Sequence, residues 1–224
     1  MDWEAIRISA RLSTCTAAIL LLLGLPIAYW ISFSKWRWKF LVESIVALPL
    51  VLPPTVLGFY VLIAIGPRSP LGRLYREVTG DLLPFSFQGL LFASVLYSLP
   101  FAVQPFSAAF GSVDRRLIEA SWSLGVSRPK TFFRLILPLS IPGLVTGMVL
   151  SFAHTLGEFG VVLMVGGNLP GSTRTASISI YDEVQALNYA AAARTSLVLL
   201  LASFAVLAVT YRFQRTLSSP WPIK

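Results

Sequence analysis

The chain is divided into long stretches that carry no charge. Residues 12–34, 44–67, 82–113 and 195–211 contain no Asp, Glu, Lys or Arg, and between Arg134 and Arg174 the only ionisable side chains are His154 and Glu158. A membrane-spanning helix needs roughly 20 mainly apolar residues, with a lower limit near about 17. Every one of these runs meets that limit, the last only just, and Arg194 and Arg212 lengthen it by snorkelling to the two interfaces. Only 12% of the residues are charged, against about 25% in a soluble domain. The expected fold class is therefore an all-α membrane protein: a single transmembrane domain over residues 1–224 with about five spans at 12–34, 44–66, 86–110, 139–165 and 194–213.

Two alternatives for these features are weaker. The first run exceeds the apolar core of a cleaved signal peptide, about 7–15 residues long, and no small-x-small cleavage site comes after it. Its C-terminal flank is Lys35-Trp36-Arg37-Trp38-Lys39, the mixture of aromatics and cations that anchors a span at the interface. The net charge of +8 is spread among the segments between runs, as expected of basic flanks in a lipid bilayer, so no nucleic-acid partner is expected. The lone Cys15 excludes an internal disulfide and any multi-cysteine metal site, and neither a metal nor a cofactor is expected.

Two places inside the runs are irregular. Pro49, Pro53 and Pro54 fall within the second run, next to Thr55. Each proline removes a backbone donor, and irregular backbone at membrane depth survives only where protein or a water-lined cavity satisfies it. The stretch is either a kinked helix end near the interface or a break lining a pathway. The fourth run holds Gly157, Glu158 and Gly160. A carboxylate in a span is costly and turns to the bundle interior or to water. It either braces a hinge, accepting from nearby backbone N–H groups or pairing with a cation, or acts as a gate residue. His154 lies four residues before Glu158 on the same helical face, but no further His or Cys supports a metal site. Gly143 and Gly147 form a Gly-x-x-x-Gly pair that permits close helix approach.

The polar loop 113–138 separates the third and fourth spans. Asp114 suits a helix N-cap, Leu117, Ile118, Ser121 and Leu124 recur at helical spacing as one apolar stripe, Gly125 suits the helix end, and Pro129 suits the next helix start. A short amphipathic helix stiffened by turns is expected at the membrane face. With the N-terminus outside, the inner segments 35–43, 114–134 and 212–224 hold eleven Lys and Arg, and the outer segments 1–11, 68–81 and 174–194 hold seven. That bias places the loop and the C-terminus in the cytoplasm. On the outer side, the turn 166–173 before Arg174 is either a plain turn or a docking loop with exposed backbone donors.

The same loop reads Glu119-Ala120-Ser121, then Gly125 after three residues, then Leu135-Ile136-Leu137-Pro138 after nine more. It resembles the cytoplasmic EAA loop of permease subunits of binding-protein-dependent ABC importers, with Ser121 in place of the second Ala and Leu135 where Ile is commoner. The resemblance implies a type I ABC importer permease fold in a bacterial plasma membrane. It further implies a coupling helix that docks on a separate ATPase subunit through Glu119, Ala120, Ser121, Leu124, Gly125 and Pro138. Two ATPase copies, a second permease copy in a homodimer and a periplasmic or lipid-anchored binding protein are implied partners.

Residues 48–60, LPLVLPPTVLGFY, and 152–173, FAHTLGEFGVVLMVGGNLPGST, narrow the resemblance to the permeases of sulfate, molybdate and tungstate importers, molybdate members above all. Pro53, Pro54, Thr55, Gly157, Glu158 and Gly160 are the pathway or gate candidates. No G-x-x-x-x-G-K-S/T stretch is present, so a non-catalytic subunit is expected, with ATP hydrolysed by the partner. An intramembrane enzyme lacks a catalytic pair beyond His154 and Glu158. An ATPase-independent channel or secondary transporter would be favoured by inverted repeats, which the sequence does not display.

Overall fold

The computed structural model describes residues 2–217, with side chains through residue 212. Among the described residues all regular structure is helical. Lys224 and the side chain of Arg215, both counted among the inner cations, lie outside the described residues.

Three long helices form the centre: α1 (Trp3–Phe33), α5 (Phe87–Gly111) and α8 (Leu137–Gly157). Helix α1 starts at Asp2, whose carboxylate accepts from the Ala5 N–H at 2.9 Å. It therefore begins at Trp3, where the sequence suggested residue 12. Arg7 and Arg11 interrupt the apolar run, but Ala5, Ile8 and Ser9 of the same turns are buried, and tertiary packing overrides the composition. Pro26, Pro100, Pro105 and Pro142 all lie inside helices that continue through them.

The centre packs closely because its contact faces are small. A Cβ at Gly147 would stand 2.6 Å from a ring carbon of Phe106, and one at Gly143 would meet the Ala109 side chain. Phe106, Phe110, Leu20, Ala28 and Leu144 are buried here. Between the helices runs a set of buried hydroxyls: Ser9, Ser13 and Thr16 of α1, Ser94 and Ser98 of α5, and Ser151 and Thr155 of α8. Several donate to the carbonyl four residues earlier, as Ser13, Ser151 and Thr155 do at 2.7–2.9 Å, which satisfies them without water. Ser98 Oγ also bridges Thr155 Oγ1 and His154 Nδ1, both at 2.9 Å. The imidazole stacks on Phe101 at 3.9 Å between ring centroids. His154 is thus a packed residue of the α5–α8 contact.

A second layer is made of shorter pieces. The second apolar run is two helices, α2 (Lys39–Val51) and α3 (Pro54–Ile65), bent by 115° across Leu52-Pro53. The fourth run likewise divides at Glu158-Phe159 into α8 and α9 (Gly160–Gly166), where one span over 139–165 was expected. The connection 68–81 contains α4 (Pro70–Thr79), capped by Ser69 and ended by Gly80 at φ 80°. After α6 (Arg115–Ser123) and α7 (Arg128–Thr131), a π-helical turn at Phe132–Ile136 joins α8. The expected loop 174–194 holds α10 (Ala176–Gln185) and the start of α11 (Tyr189–Leu217). Helix α11 leaves Leu197, Leu200, Leu201 and Phe204 exposed, as a lipid-facing outer helix does.

Contacts sort the connections onto two ends. At one, Ala176 N–H donates to Ser9 Oγ at 2.8 Å, Arg174 meets Asp2 at 3.9 Å, and Phe85 N–H donates to the Val165 carbonyl at 2.9 Å. At the other, Ser32 donates to the Ser107 carbonyl at 3.0 Å, and Tyr29 packs on Phe110 and Phe132.

Candidate functional site

The polar loop between α5 and α8 is built from local rules. The Asp114 carboxylate accepts from the Arg116 N–H at 2.9 Å and starts α6. At its far end Gly125 N–H donates to the Trp122 carbonyl at 2.9 Å and Val126 N–H to the Ser121 carbonyl at 3.1 Å. This is the paired bond pattern of a Schellman termination, and it needs the left-handed conformation that Gly125 adopts at φ 76°. Ser127 and Pro129 then start α7. Ser121 Oγ lies 2.9 Å from Thr131 Oγ1, and Ile118 packs in one cluster with Ile136. Helix α6 is therefore fixed to the foot of α8 by a turn, a hydroxyl pair and an apolar contact.

The stripe of Leu117, Ile118, Ser121 and Leu124 keeps its helical spacing but is not buried as one face. At about 100° per residue, Arg115, Ile118, Glu119 and Trp122 share one face of α6, and Leu117, Ala120 and Leu124 share the opposite one. Ile118 is buried, while Leu117 is 49% and Leu124 83% exposed. The sequence reading missed that one face turns to α1 and α8, because that division depends on which neighbours the loop folds back against. Glu119, Ala120 and Gly125 are all exposed, and Glu119 also lines a cavity behind the helix. Pro138 lies in the first turn of α8 and is exposed.

The second set of candidates comes together from two broken helices. Glu158 terminates α8 and its carboxylate accepts from the Val161 N–H at 3.0 Å, with the Phe159 and Gly160 N–H groups also directed at it. The residue is 8% exposed. A carboxylate at the start of α9 satisfies donors that a helix N-terminus leaves open, so the backbone is its partner, and no cation lies within ion-pair distance among the described residues. Gly160 touches the other break: a Cβ there would fall 2.7 Å from Pro54 Cβ. Helix α3 continues this contact through Gly58, where a Cβ would meet Met164 at 2.8 Å. Pro53, Pro54 and Thr55 are exposed beside the junction, and Gly157 has open space around it.

A third cluster escaped the sequence reading. Arg174 donates to Asp182 and to Asn168, each at 2.7 Å, and Asn168 donates to Asp182 at 2.7 Å. With Asp2 alongside, this clasp joins the start of α1, the 167–174 turn and α10. Arg174 and the turn that holds Asn168 stood out in the sequence, but Asp2 and Asp182 did not, because they lie far apart along the chain and become neighbours through the fold. Among the described residues there is no group of three or more His, Cys, Asp and Glu side chains placed to hold a metal.

The family described as binding-protein-dependent transport system inner membrane component matches residues 21–219. Among curated proteins, the chain is 47% identical to the molybdenum transport system permease protein ModB of Azotobacter vinelandii, over 96% of this chain and 95% of that one. It is 35% identical to ModB of Escherichia coli strain K12, over 82% and 80%. It is 34% identical to a probable sulfate transport system permease protein cysT of Chlorella vulgaris, over 81% and 68%. Among solved structures, a bacterial ABC transporter that imports the acidic polysaccharide alginate is similar with a TM-score of 0.77 and 17% identity, covering 95% of this chain and 78% of that one. The inward-facing MetNI methionine ABC transporter is similar with a TM-score of 0.72 and 15% identity, covering 96% and 95%. These structural likenesses carry the fold.

Proposed function

The chain belongs to the family of binding-protein-dependent transport system inner membrane components, and from that membership we propose that it is the membrane permease subunit of an ATP-driven importer of molybdate. The assignment to molybdate is supported by the likeness to molybdenum permeases along nearly the whole chain. The chain is a transport subunit, and ATP is hydrolysed by a separate ATPase that docks on the exposed Leu117–Ala120–Leu124 face of α6 and on the Gly125 turn. One such loop per chain and two ATPase copies call for a second permease copy. A binding protein delivers the oxyanion at the opposite end, near the Arg174 clasp. The end carrying α6 is cytoplasmic and the N-terminus is outside, in line with the excess of Lys and Arg in the inner segments.

The observation that carries this reading is the continuity of α7 with α8 and the fixing of α6 to their foot. From Arg128 to Gly157 the chain is one helical span of 30 residues, roughly 45 Å at 1.5 Å per residue. Its foot is fixed to α6 and its head ends at Glu158, against the Pro54–Gly160 contact. ATP binding draws the two ATPases together and α6 moves with them. Helix α8 acts as a lever that shifts α9 against α3, opening the route toward the docked binding protein, and hydrolysis resets it. Pro53, Pro54, Thr55, Gly157, Glu158 and Gly160 form the gate in this scheme, and the Glu158 carboxylate holds α9 to the head of the lever.

The test is ATPase activity of the reconstituted complex, with its ATPase and binding protein, in the presence of molybdate or sulfate. Stimulation by molybdate and not by sulfate is expected. Stimulation by sulfate alone would keep the coupling scheme and change the substrate, against the stronger likeness to a molybdenum permease, 47% identity compared with 34% to the Chlorella vulgaris sulfate permease. Failure to assemble with an ATPase would overturn the role given to α6.

A further inference from the structure

The face of α6 turned away from Leu117, Ala120 and Leu124 borders a cavity of about 440 Å³ closed on its other side by the end of α1. Lys35, Arg115 and Arg128 line it, with Glu119 as the only carboxylate. Among the described residues none of the three cations has a carboxylate within ion-pair distance; Arg128 instead lies 5.5 Å from the ring centre of Trp122. A second cavity of about 420 Å³ shares Tyr29 and Arg128 with the first and is otherwise apolar, bounded by Leu25, Pro26, Phe132 and Phe133. A cationic chamber thus opens beside an apolar cleft, with one arginine at their boundary.

The depth of the pair in the membrane is set by its neighbours. Lys35 belongs to the segment between α1 and α2, where Trp36 and Trp38 are exposed, and the exposed Trp30 near the end of α1 packs on Trp36 at 5.8 Å. Exposed tryptophans among cations sit at headgroup level. The cationic chamber therefore lies at that level, and the apolar cleft runs from it along α1, beside Leu25 and Pro26, toward the hydrocarbon.

We propose that these joined cavities hold one anionic phospholipid, its phosphate among Lys35, Arg115 and Arg128 and an acyl chain along Leu25, Pro26, Phe132 and Phe133. The excess of two positive charges selects an anionic headgroup over a zwitterionic one. A free oxyanion would satisfy the chamber but leave the adjoining cleft without an occupant. The lipid would wedge between α1 and the foot of α8, so its presence sets the resting position of α6. Docking of the ATPase on the opposite face of α6 rests on the function proposed above; the lipid site stands without it.

The test uses the whole transporter, purified and exchanged into nanodiscs of phosphatidylcholine with added phosphatidylglycerol, with retained lipid read by native mass spectrometry. Phosphatidylglycerol is expected to be retained in preference to phosphatidylcholine. Arg115→Gln and Arg128→Gln are each expected to lower that retention about fivefold, since a cation near a phosphate is worth about one such factor. Phe133→Asp, on the exposed rim of the cleft, is expected to lower it with the three cations intact. Equal retention of the two lipids, or unchanged retention in the Arg115→Gln, Arg128→Gln double variant, would overturn the proposal. So would arginine-dependent stabilisation by inorganic phosphate in lipid-free detergent that phosphatidylglycerol fails to reproduce, which would assign the chamber to a free oxyanion. Loss of co-purifying ATPase is scored separately and bears only on the coupling face.

Discussion

The α1–α5–α8 centre and the α2–α3–α9 layer are both made of apolar sequence, yet they meet the membrane differently. In the centre, helices run unbroken through Pro26, Pro100 and Pro105. In the second layer the chain breaks at Leu52-Pro53 and at Glu158-Phe159. The difference lies in what surrounds each irregular residue. Within the centre, glycine faces and returned hydroxyl bonds fill the space around a kink. At the breaks, donors are satisfied locally, by the Glu158 carboxylate and by the Pro53 carbonyl, which accepts from the Val56 and Leu57 N–H groups, while Gly157 has open space around it. A continuous helix transmits displacement as a rigid body, and two breaks in contact let one short helix shift on another. The division suits a lever and a gate.

The comparison breaks most sharply if the centre is overfilled. Gly147→Leu forces a side chain into the space of the Phe106 ring, at a cost of about 1–3 kcal/mol. A marked fall in thermal stability and in monodisperse yield from detergent is expected. A variant as stable as the parent would mean that α5 and α8 are not the rigid pair described.

The next largest effect falls on the breaks. Glu158→Ala removes the acceptor for the Val161 N–H and leaves a buried donor open, at a cost of about 1–3 kcal/mol. Glu158→Gln keeps an acceptor oxygen, and its stability is expected to lie between the parent and the alanine variant. Transport separates the roles: normal molybdate uptake by Glu158→Gln would show that the backbone bond matters and the charge does not. A loss of uptake at unchanged stability would show the reverse.

How far this arrangement could be read in advance differs between its parts. The absence of charge over residues 82–113 points directly at the helix found there, because lipid burial is a composition requirement. The start of α1 at Trp3 was hidden by Arg7 and Arg11; Arg11 lies over the Phe87 ring at 4.3 Å, a tertiary contact that makes a charge acceptable in the helix. Pro53 and Glu158 marked two irregular places correctly as residue types, but nothing local says that Pro54 and Gly160 touch. The capping of α6 by Asp114 and Gly125 was legible because a cap acts within a few residues. Which face of α6 packs inward was not, since it depends on where α1 ends.

A smaller effect is expected at the Gly125 turn, proposed above as part of the docking face. Gly125→Ala places a side chain in the left-handed region, costing about 1–2 kcal/mol per residue, and the strain is confined to a turn that touches little else. Global stability is expected to change less than in Gly147→Leu, while ATPase stimulation by substrate falls. That split between stability and coupling would sharpen the contrast between centre and periphery; equal losses in both would dissolve it.

The smallest effect belongs to the outer clasp. Arg174 and Asp182 are 29% and 33% exposed in their side chains, so water and ions screen their attraction, and pairs of this kind contribute about 0.2–1 kcal/mol. Arg174→Gln is expected to lower thermal stability slightly, and the difference from the parent is expected to shrink as salt is raised. A drop that persisted at high salt would point to packing in place of charge. A drop larger than that of Glu158→Ala would go further: it would make the clasp, which ties α1 to α10 through Asp2 and Arg174, part of the rigid unit. The boundary of the lever would then lie at the outer surface, and the second layer would move against α10 as well as against the centre.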